Sequence, residues 1–436
     1  MGAHILYGSE PSFYTRKAWA AMRLLGLEVD DRLKSLAVKE EVEAAVGGYH
    51  RFPVVQTPAG DWLVDSTDIG LELSRRHPDR SLVPDAGDLA FLVLLFDEWV
   101  DEWLLRATVA YRGLDPETRT WAAERAAMNL LGLPSDAALP DALRDMHGKL
   151  SAGVERFFVR ACAINGVTDE TREPVMAFVE RVLDALQRAV PSSGFLFGSR
   201  PSLGDAALWG FLEAGLLWEP KPAAQVQARA PALAAFHARV RAAAGAGGTD
   251  GEWAEFEAAT AQMEPILGAD ALGFAAFLDA NRQALAAGHE GLALDGAEVP
   301  VRGFTEKGRL ALKGRLEATE PEARARVSEL GWPIVAAIMA LGEPDDGAAR
   351  GRSELGADVW RVAPCDAGRW RGRAGLRACR PARGRDPDRD GRRGACRGNA
   401  DLPCGRGFSH ECLSGEAGVR RPAPGGARGA GDFRAA

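Results

Sequence analysis

The sequence predicts a small α/β domain followed by an all-α bundle, a helical appendage and a disordered tail. Strand and helix patterns alternate over the first 80 residues, helical patterns without strand signals fill residues 88–241, and hydrophobic periodicity stops after about residue 347. The chain has 436 residues, of which 46% are hydrophobic, so it is long enough for two or three domains with cores of their own. We place the boundaries at residues 1–84, 88–244, 252–341 and 347–436.

The α/β domain has the predicted order βαβ–α–ββα. Ser12 precedes a helical pattern that ends at Gly26, and a Gly pair at 47–48 stops the second helix. The tetrapeptide Pro58–Asp61 is typical of a turn between two strands. The predicted strands are His4–Gly8, Glu28–Leu36, Pro53–Thr57 and Trp62–Val64, and the predicted helices are Phe13–Leu25, Val38–Val46 and Thr67–Arg76.

The middle of the chain carries apolar residues at helical spacing and predicts the bundle. Its predicted helices are Leu89–Leu105, Pro116–Leu131, Leu139–Ala163, Glu173–Val190, Ser202–Leu217 and Pro231–Ala244. The Gly-rich segment Ala243–Gly251 is typical of a linker. The appendage, expected to be mainly helical and packed on the bundle, has predicted helices at Trp253–Leu267, Ala271–Ala287, Glu306–Leu316 and Trp332–Leu341, with a hairpin that turns at Asp295-Gly296.

The net charge of −8 averages two unlike segments. From Arg350 onward the chain has 19 Arg, no Lys and 10 acidic residues, a charge of +9, whereas residues 1–349 carry −17. A segment so rich in Arg, Gly and Pro cannot bury enough apolar area to offset its ordering entropy, so we expect disorder. Its composition is typical of GC-rich DNA translated out of frame, and we interpret it as a frameshifted or run-on translation.

Three motifs of the α/β domain lie at the ends of predicted strands. Ser12-Phe13-Tyr14-Thr15-Arg16-Lys17 opens the first helix, Phe52-Pro53-Val54-Val55 begins a strand, and Asp65-Ser66 joins a strand to a helix. Together they resemble the thioredoxin-like N-terminal domain of cytosolic glutathione S-transferases, of serine type or of an unclassified bacterial-like type. In the bundle, the segment from Gly194 to Ala207 contains Gly-x-Arg-Pro and Ser202-x-x-Asp205, and it resembles the C-terminal signature of the same family. The resemblance covers about residues 4–241.

The resemblance implies a catalytic hydroxyl at Ser12. A glutathione thiol, with a pKa near roughly 8.5, is mostly protonated at neutral pH, so the site must favour the thiolate. The N-terminus of the first helix and a hydroxyl that donates to sulfur would both do so. The alternative for Ser12 is a purely structural helix cap. Tyr7 is the second candidate hydroxyl, because tyrosine-type relatives place their Tyr at the end of the first strand; its alternative is ordinary packing within that strand.

The resemblance also implies a glutathione-binding set. The family has a cis proline at the position of Pro53, which would expose the backbone of Phe52 to the cysteinyl part of glutathione. Asp65 and Ser66 would bind the ammonium and carboxylate of the γ-glutamyl group, with simple capping as the alternative role. Ser202 and Asp205 are predicted to form a capping box, a structural feature.

The bundle contains a repeated Asp-Glu-Trp at spacing four, which places both Trp on one helix face. We hypothesise that Trp99 or Trp103, with Tyr111, lines an apolar pocket for the second substrate. The alternative places both Trp in the core beside solvated carboxylates.

We therefore expect a glutathione transferase that joins the glutathione thiolate to a soft electrophile, with a role in detoxification. The alternative is a non-catalytic glutathione-binding or protein-interaction module, favoured by Phe13 where the family often has Pro. Glutathione is the expected co-substrate and a homodimer the expected assembly. We expect no metal, no nucleic acid and no membrane partner, because metal-ligand motifs, nucleic-acid-binding motifs and apolar segments of spanning length are absent from the sequence. An acidic body with the single Cys162 fits the cytoplasm.

Overall fold

The computed structural model describes residues 2–248 and 250–341. These residues all fall within one of two units into which the chain divides, Met1–Arg380. The second unit, Pro381–Ala436, and the predicted tail at 347–436 lie outside the described residues. Within the described ranges, no helix is long and apolar enough to cross a membrane.

The N-terminal region folds around a four-stranded sheet with the strand order β2-β1-β3-β4. β1 and β2 are parallel, and β3 runs antiparallel to both β1 and β4. This arrangement confirms the predicted βαβ–α–ββα order. The strands are β1 (His4–Gly8), β2 (Val29–Leu33), β3 (Val54–Gln56) and β4 (Trp62–Val64), and the helices are α1 (Phe13–Leu24), α2 (Lys39–Ala45) and α3 (Ser66–Arg76).

The helical region begins with α4, which is almost entirely buried and apolar on every side between Leu89 and Phe96. Single π-helical turns at Val100–Leu104 and Leu212–Leu216 follow α4 and α9. The helices are α4 (Gly87–Trp99), α5 (Leu105–Leu114), α6 (Pro116–Leu130), α7 (Arg144–Ile164), α8 (Arg172–Ala189), α9 (Leu203–Phe211), α10 (Pro220–Arg229) and α11 (Pro231–Gly245).

The two regions pack closely through α1 and α9. Gly210 of α9 permits this approach, because a Cβ there would lie 2.5 Å from the backbone nitrogen of Lys17. Any larger residue at Gly210 would push the first helix away from the bundle. The helix that carries Ser12 at its N-terminus is therefore fixed directly on the helical region.

Residues beyond the bundle pack against α4 and α8 and continue the same hydrophobic core. The elements there are α12 (Phe256–Leu267), α13 (Phe274–Ala286), β5 (Gly291–Leu294), β6 (Ala297–Pro300), α14 (Gly303–Glu317), α15 (Pro321–Glu329) and α16 (Pro333–Met339). β5 and β6 form a hairpin whose turn residues, Asp295 and Gly296, both have positive φ, as a two-residue turn of this kind requires.

The structure adds two features to the elements predicted from the sequence. Helices α10 and α15 were not predicted, because each is short and polar and buries little more than one valine, Val226 or Val327. The segment predicted to be a linker, Ala243–Gly251, begins within α11, which continues to Gly245, and it contacts the α/β domain where the guanidinium of Arg80 donates to the carbonyl of Gly247 at 2.6 Å.

Candidate functional site

The sheet register brings three predicted site segments to one end of the sheet. Tyr7 of β1 lies opposite Val54 of β3, which in turn lies opposite Val64 of β4. The residues that continue each strand past this row are Gly8, Pro53 and Asp65. The turn that leads to Ser12, the strand entry at Pro53 and the start of α3 therefore meet at one edge, as a single binding site requires.

Ser12 is the N-cap of α1. It has extended backbone angles, and its Oγ accepts a hydrogen bond from the backbone N–H of Thr15 at 3.2 Å. No acceptor for the hydroxyl proton of Ser12 is found within residues 2–248 and 250–341. The hydroxyl lies at the positive end of the helix dipole, and it can cap the helix and donate to a ligand at the same time.

The strand entry at β3 begins with a cis peptide bond between Phe52 and Pro53. Pro53 is buried, and Val54 directly after it pairs with both β1 and β4. The cis proline implied by the family resemblance is thus present in the structure.

Asp65 adopts a backbone conformation that L-residues rarely adopt, with φ of 72° and ψ of 125°. Its carboxylate accepts from the backbone N–H of Thr67 at 3.2 Å and caps α3, and the buried Ser66 is the first residue of that helix. A strained residue of this kind costs on the order of 1–3 kcal/mol and is typical of functional sites. Capping and strain coincide at the point where the γ-glutamyl group was predicted to bind.

Tyr7 lies on the other face of the sheet from α1. A Cβ on Gly8 would collide with the side chain of Thr15 on α1, so the neighbouring Tyr7 points away from that helix. Its ring stacks on Trp62 with 6.0 Å between centroids. The structure does not bring Tyr7 together with Ser12, in contrast to the expectation of a second candidate hydroxyl there.

A buried charge cluster beneath α3 was missed by sequence analysis. The ammonium of Lys17, which is fully buried, contacts Asp97 at 2.7 Å and Asp101 at 2.6 Å. It also donates at 2.8 Å to the hydroxyl of Thr67, which in turn donates to Asp97 at 2.8 Å. Because Thr67 follows Ser66 directly, this cluster connects α1, α3 and α4 at the edge of the candidate site.

The cluster contains two carboxylates and one ammonium, and its protonation reflects that imbalance. Burial raises the pKa of Asp101 to about 8, with the nearby Asp97 adding to the effect and Lys17 opposing it. Burial likewise raises the pKa of Asp97. Asp101 Oδ1 is buried with no hydrogen-bond partner among the described residues, which leaves its negative charge poorly compensated. Near neutral pH the cluster therefore holds an extra proton.

The predicted second-substrate residues lie in the core, which corrects the pocket hypothesis. Trp99 and Trp103 are 0% and 2% exposed, and Tyr111 is also buried. The indole N–H of Trp99 donates to the carbonyl of Ala271 at 3.2 Å, and that of Trp103 to the carbonyl of Leu272 at 3.0 Å. The segment beyond the bundle covers both rings. The expectation that the neighbouring carboxylates are solvated is also wrong for Asp97 and Asp101.

Part of that segment reaches the candidate site itself. The ring of Phe304 on α14 lies 5.2 Å from the guanidinium of Arg51, the residue before Phe52. Thr305 is buried, and its hydroxyl donates to the carboxylate of Glu102. Residues outside the two-domain pattern thus border the loop that leads into the cis proline.

Ser202 and Asp205 form a reciprocal capping box at the start of α9. The carboxylate of Asp205 accepts from the backbone of Ser202 at 2.8 Å, and the Ser202 hydroxyl accepts from the backbone of Asp205 at 3.2 Å. The same carboxylate accepts from the Leu196 amide. Burial raises the pKa of Asp205 to about 6, despite these hydrogen bonds.

The fold and the site define a thioredoxin-like domain joined to an all-α domain, with a capped helix entry and a cis proline at one sheet edge. Two family models match this arrangement: the glutathione S-transferase N-terminal domain over residues 6–81 and the glutathione S-transferase C-terminal domain over residues 169–239. These two stretches of the chain therefore match the two domains of the glutathione S-transferase family.

Solved structures give related matches. A glutathione S-transferase from Methylobacillus flagellatus KT with glutathione bound is 20% identical, and the match covers 57% of this chain and 100% of the other, with a TM-score of 0.37. A glutathione S-transferase from Methylobacterium radiotolerans in complex with glutathione sulfonate is 20% identical over 55% and 91% of the two chains, with a TM-score of 0.33. The β-etherase LigF from Sphingobium sp. strain SYK-6 is 20% identical over 55% and 96%, with a TM-score of 0.39. A comparison with curated proteins gave no match.

Proposed function

We propose that this protein is a glutathione transferase that binds glutathione at the sheet edge and transfers its thiolate to a soft electrophile. The observation that carries the proposal is the state of Ser12: it caps α1 through its oxygen, while its hydroxyl proton has no acceptor among the described residues. A hydroxyl in that state is suited to donate to a sulfur anion beside the helix N-terminus.

The binding part of the proposal assigns one role to each segment of the edge. The backbone of Phe52 would pair with the cysteinyl part of glutathione. The carboxylate of Asp65 would meet the γ-glutamyl ammonium, and Ser66, at the start of α3, would donate to the γ-glutamyl carboxylate. With these roles, the thiol of glutathione would lie towards Ser12, because the start of α1 and the strand entry at Pro53 lie at the same edge of the sheet.

The chemical step would proceed from the thiolate. The thiol proton leaves to solvent, and the hydroxyl of Ser12 together with the N-terminal amides of α1 stabilises the sulfur anion. The sulfur then forms a bond to the electrophilic carbon, and the electron pair of the broken bond departs with the leaving group or, in an addition, moves into the acceptor. Holding the sulfur anion in place would accelerate the conjugation step through proximity and electrostatic stabilisation.

A second candidate function is a non-catalytic glutathione-binding module. Phe13, at the position where the family often has Pro, favours it, since the ring is buried against Phe211 at 4.9 Å and alters the packing next to Ser12. A module of this kind would retain the binding edge without accelerating conjugation.

Two measurements test the proposal. Retention on immobilised glutathione tests binding, and conjugation kinetics of wild type and Ser12→Ala with a panel of electrophiles test turnover. We expect retention by both proteins and a fall of about tenfold to a hundredfold in kcat/KM for Ser12→Ala. Retention without turnover in the wild-type protein would favour the non-catalytic module. The absence of both retention and turnover would exclude a glutathione-dependent role. The homodimer implied by the resemblance and the cytoplasmic location expected from the acidic body with its single Cys162 stay predictions, to be checked by light scattering and by cell fractionation.

A further inference from the structure

The turn that precedes α1 is held by two side chains of the helical region. The first is Asn129 on α6, which is 3% exposed. Its carbonyl oxygen accepts from the hydroxyl of Ser9 at 3.1 Å and from the backbone N–H of Glu10 at 2.7 Å, and its amide donates to the carboxylate of Glu10 at 3.1 Å. Every one of these contacts fixes the chain two or three residues before Ser12.

The second side chain is Arg112 on α5, also buried. Its Nη1 donates at 3.2 Å to the carbonyl of Pro11, the residue directly before Ser12. Its Nη2 donates to the carbonyl of Ala214 in the π-helical turn after α9, and its Nε donates to the carboxylate of Glu219. All three guanidinium nitrogens are thus used, each by a different segment.

The same guanidinium also contacts the residue directly after Ser12. It lies 4.8 Å from the centroid of the Phe13 ring, which also stacks on Phe211. Arg112 therefore contacts the chain on both sides of Ser12, through a backbone carbonyl before it and an aromatic ring after it. An Arg that satisfies a carboxylate and two carbonyls in a dry environment has one geometry available, because its donors are fixed in a plane.

We propose that Arg112 and Asn129 are positioning residues for Ser12, through which the helical domain sets the direction of the Ser12 hydroxyl. The inference rests on the proposed function and deepens it. Neither side chain has to touch glutathione: both act on the turn formed by residues 9–13. A change of a few tenths of an ångström in that turn would move the hydroxyl relative to the sulfur, and small misplacements of this kind are costly to a chemical step.

A double-mutant cycle with Ser12→Ala separates positioning from general support of the fold. The single variants are Arg112→Lys and Asn129→Ala, and Glu219→Gln gives a milder change in case Arg112→Lys does not fold. The matched control is Arg106→Lys. Arg106 lies on the same helix and is 1% exposed, but it donates to the carbonyl of Asn165 at 3.1 Å and pairs with Asp295, both of which belong to other segments than the turn. The readouts are kcat/KM and the pH at which bound glutathione ionises, followed by the absorbance of the thiolate.

We expect Arg112→Lys and Asn129→Ala each to lower kcat/KM by about tenfold and to raise the ionisation pH of bound glutathione, with glutathione affinity little changed. In the Ser12→Ala background the same substitutions should have almost no further effect, because the hydroxyl that they position is gone. Arg106→Lys should show no such coupling.

Equal losses in both backgrounds would overturn the inference and assign Arg112 and Asn129 a purely structural role. Should Ser12→Ala itself leave turnover and thiol ionisation unchanged, both the role of Ser12 and its positioning would be refuted. A loss for Ser12→Ala alone, with additive effects of the other variants, would leave the proposed function standing and remove only the inference.

Discussion

Two buried charge clusters fix helix α1, and they differ in composition. In the middle of the helix, Lys17 faces two carboxylates, Asp97 and Asp101. At its N-terminus, Arg112 faces one carboxylate, Glu219, and two backbone carbonyls. Burial raises the pKa of the carboxylates in both clusters, but only in the Lys17 cluster does a second carboxylate add to that effect.

Two buried ion pairs that contact one helix therefore differ in their charge balance and in the segments that they hold. The Lys17 cluster has two carboxylates for one ammonium, and burial raises the pKa of Asp101 to about 8, so its protonation is linked to the packing of α1, α3 and α4. The Arg112 cluster pairs one guanidinium with one carboxylate and contacts the turn before Ser12 through the carbonyl of Pro11. Four substitutions test this contrast between the two clusters.

Lys17→Met should be the most damaging of them. It leaves Asp97 and Asp101 buried without their counter-charge, and breaking a buried pair in this way costs about 3–5 kcal/mol. The free energy of unfolding by denaturant measures the loss. Arg16→Met is the control, because Arg16 pairs with the half-exposed Asp31 and should cost under about 1 kcal/mol. Equal losses for the two variants would show that the Lys17 cluster is energetically unimportant.

Glu219→Gln should lower the free energy of unfolding by less, about 2 kcal/mol. The amide oxygen of Gln still accepts from the charged guanidinium of Arg112, so the change keeps this hydrogen bond but removes the negative charge opposite it, while Pro11 and Ala214 keep their contacts. Glu155→Gln, which weakens the half-exposed pair of Arg119 and Glu155, is the control and should lie within about 1 kcal/mol of wild type. A loss for Glu219→Gln as large as that for Lys17→Met would contradict the proposed difference between the clusters.

Thr67→Val tests the hydrogen bonds of the Lys17 cluster without changing its charge. The hydroxyl of Thr67 accepts from Lys17 and donates to Asp97, both at 2.8 Å, so its removal should cost about 1.5 kcal/mol in unfolding free energy. Thr120→Val, whose hydroxyl lies on the surface near Glu155, should be nearly neutral. If both variants match wild type, Thr67 does not connect the cluster to α3.

The smallest expected effect is the change in the free energy of unfolding over one pH unit. Burial raises the pKa of Asp101 to about 8, well above that of an unfolded aspartate, so the folded chain binds more protons between pH of about 4 and 8. This group therefore stabilises the fold fully at low pH, and its contribution falls as pH rises through that window. We expect a decline of about 1 kcal/mol between pH 6 and pH 7 in wild type relative to Asp101→Asn. Parallel profiles for the two proteins would show that Asp101 is ionised throughout.

Local patterns explain what the sequence could predict. Ser12 and Asp65 were found as helix caps because a cap and its partner lie two or three residues apart, at 3.2 Å in both cases. The capping box of Ser202 and Asp205 is equally local. The family motifs added the cis proline at Pro53, for which no pattern of composition or periodicity gives a signal.

Contacts between distant segments explain what the sequence could not predict. The carbonyl of Pro11 and the guanidinium of Arg112 are 101 residues apart, and Lys17 is 84 residues from Asp101. The residues that neighbour Asp101 in the sequence do not indicate that it will be buried in an ion pair with a lysine of α1. An acidic repeat such as the one beside Trp99 and Trp103 is usually solvated. The covering of both indoles by residues 271–272 depends on the appended segment, whose packing no local pattern determines.

The central claim is that the hydroxyl of Ser12 stabilises the thiolate of bound glutathione, and a titration of that thiol tests it most directly. The absorbance of the thiolate is followed against pH in complexes of wild type and Ser12→Ala with glutathione. The account predicts that the bound thiol of wild type ionises well below the roughly 8.5 of an ordinary cysteine thiol and that Ser12→Ala moves the midpoint back towards that value. Identical midpoints for the two complexes would contradict it.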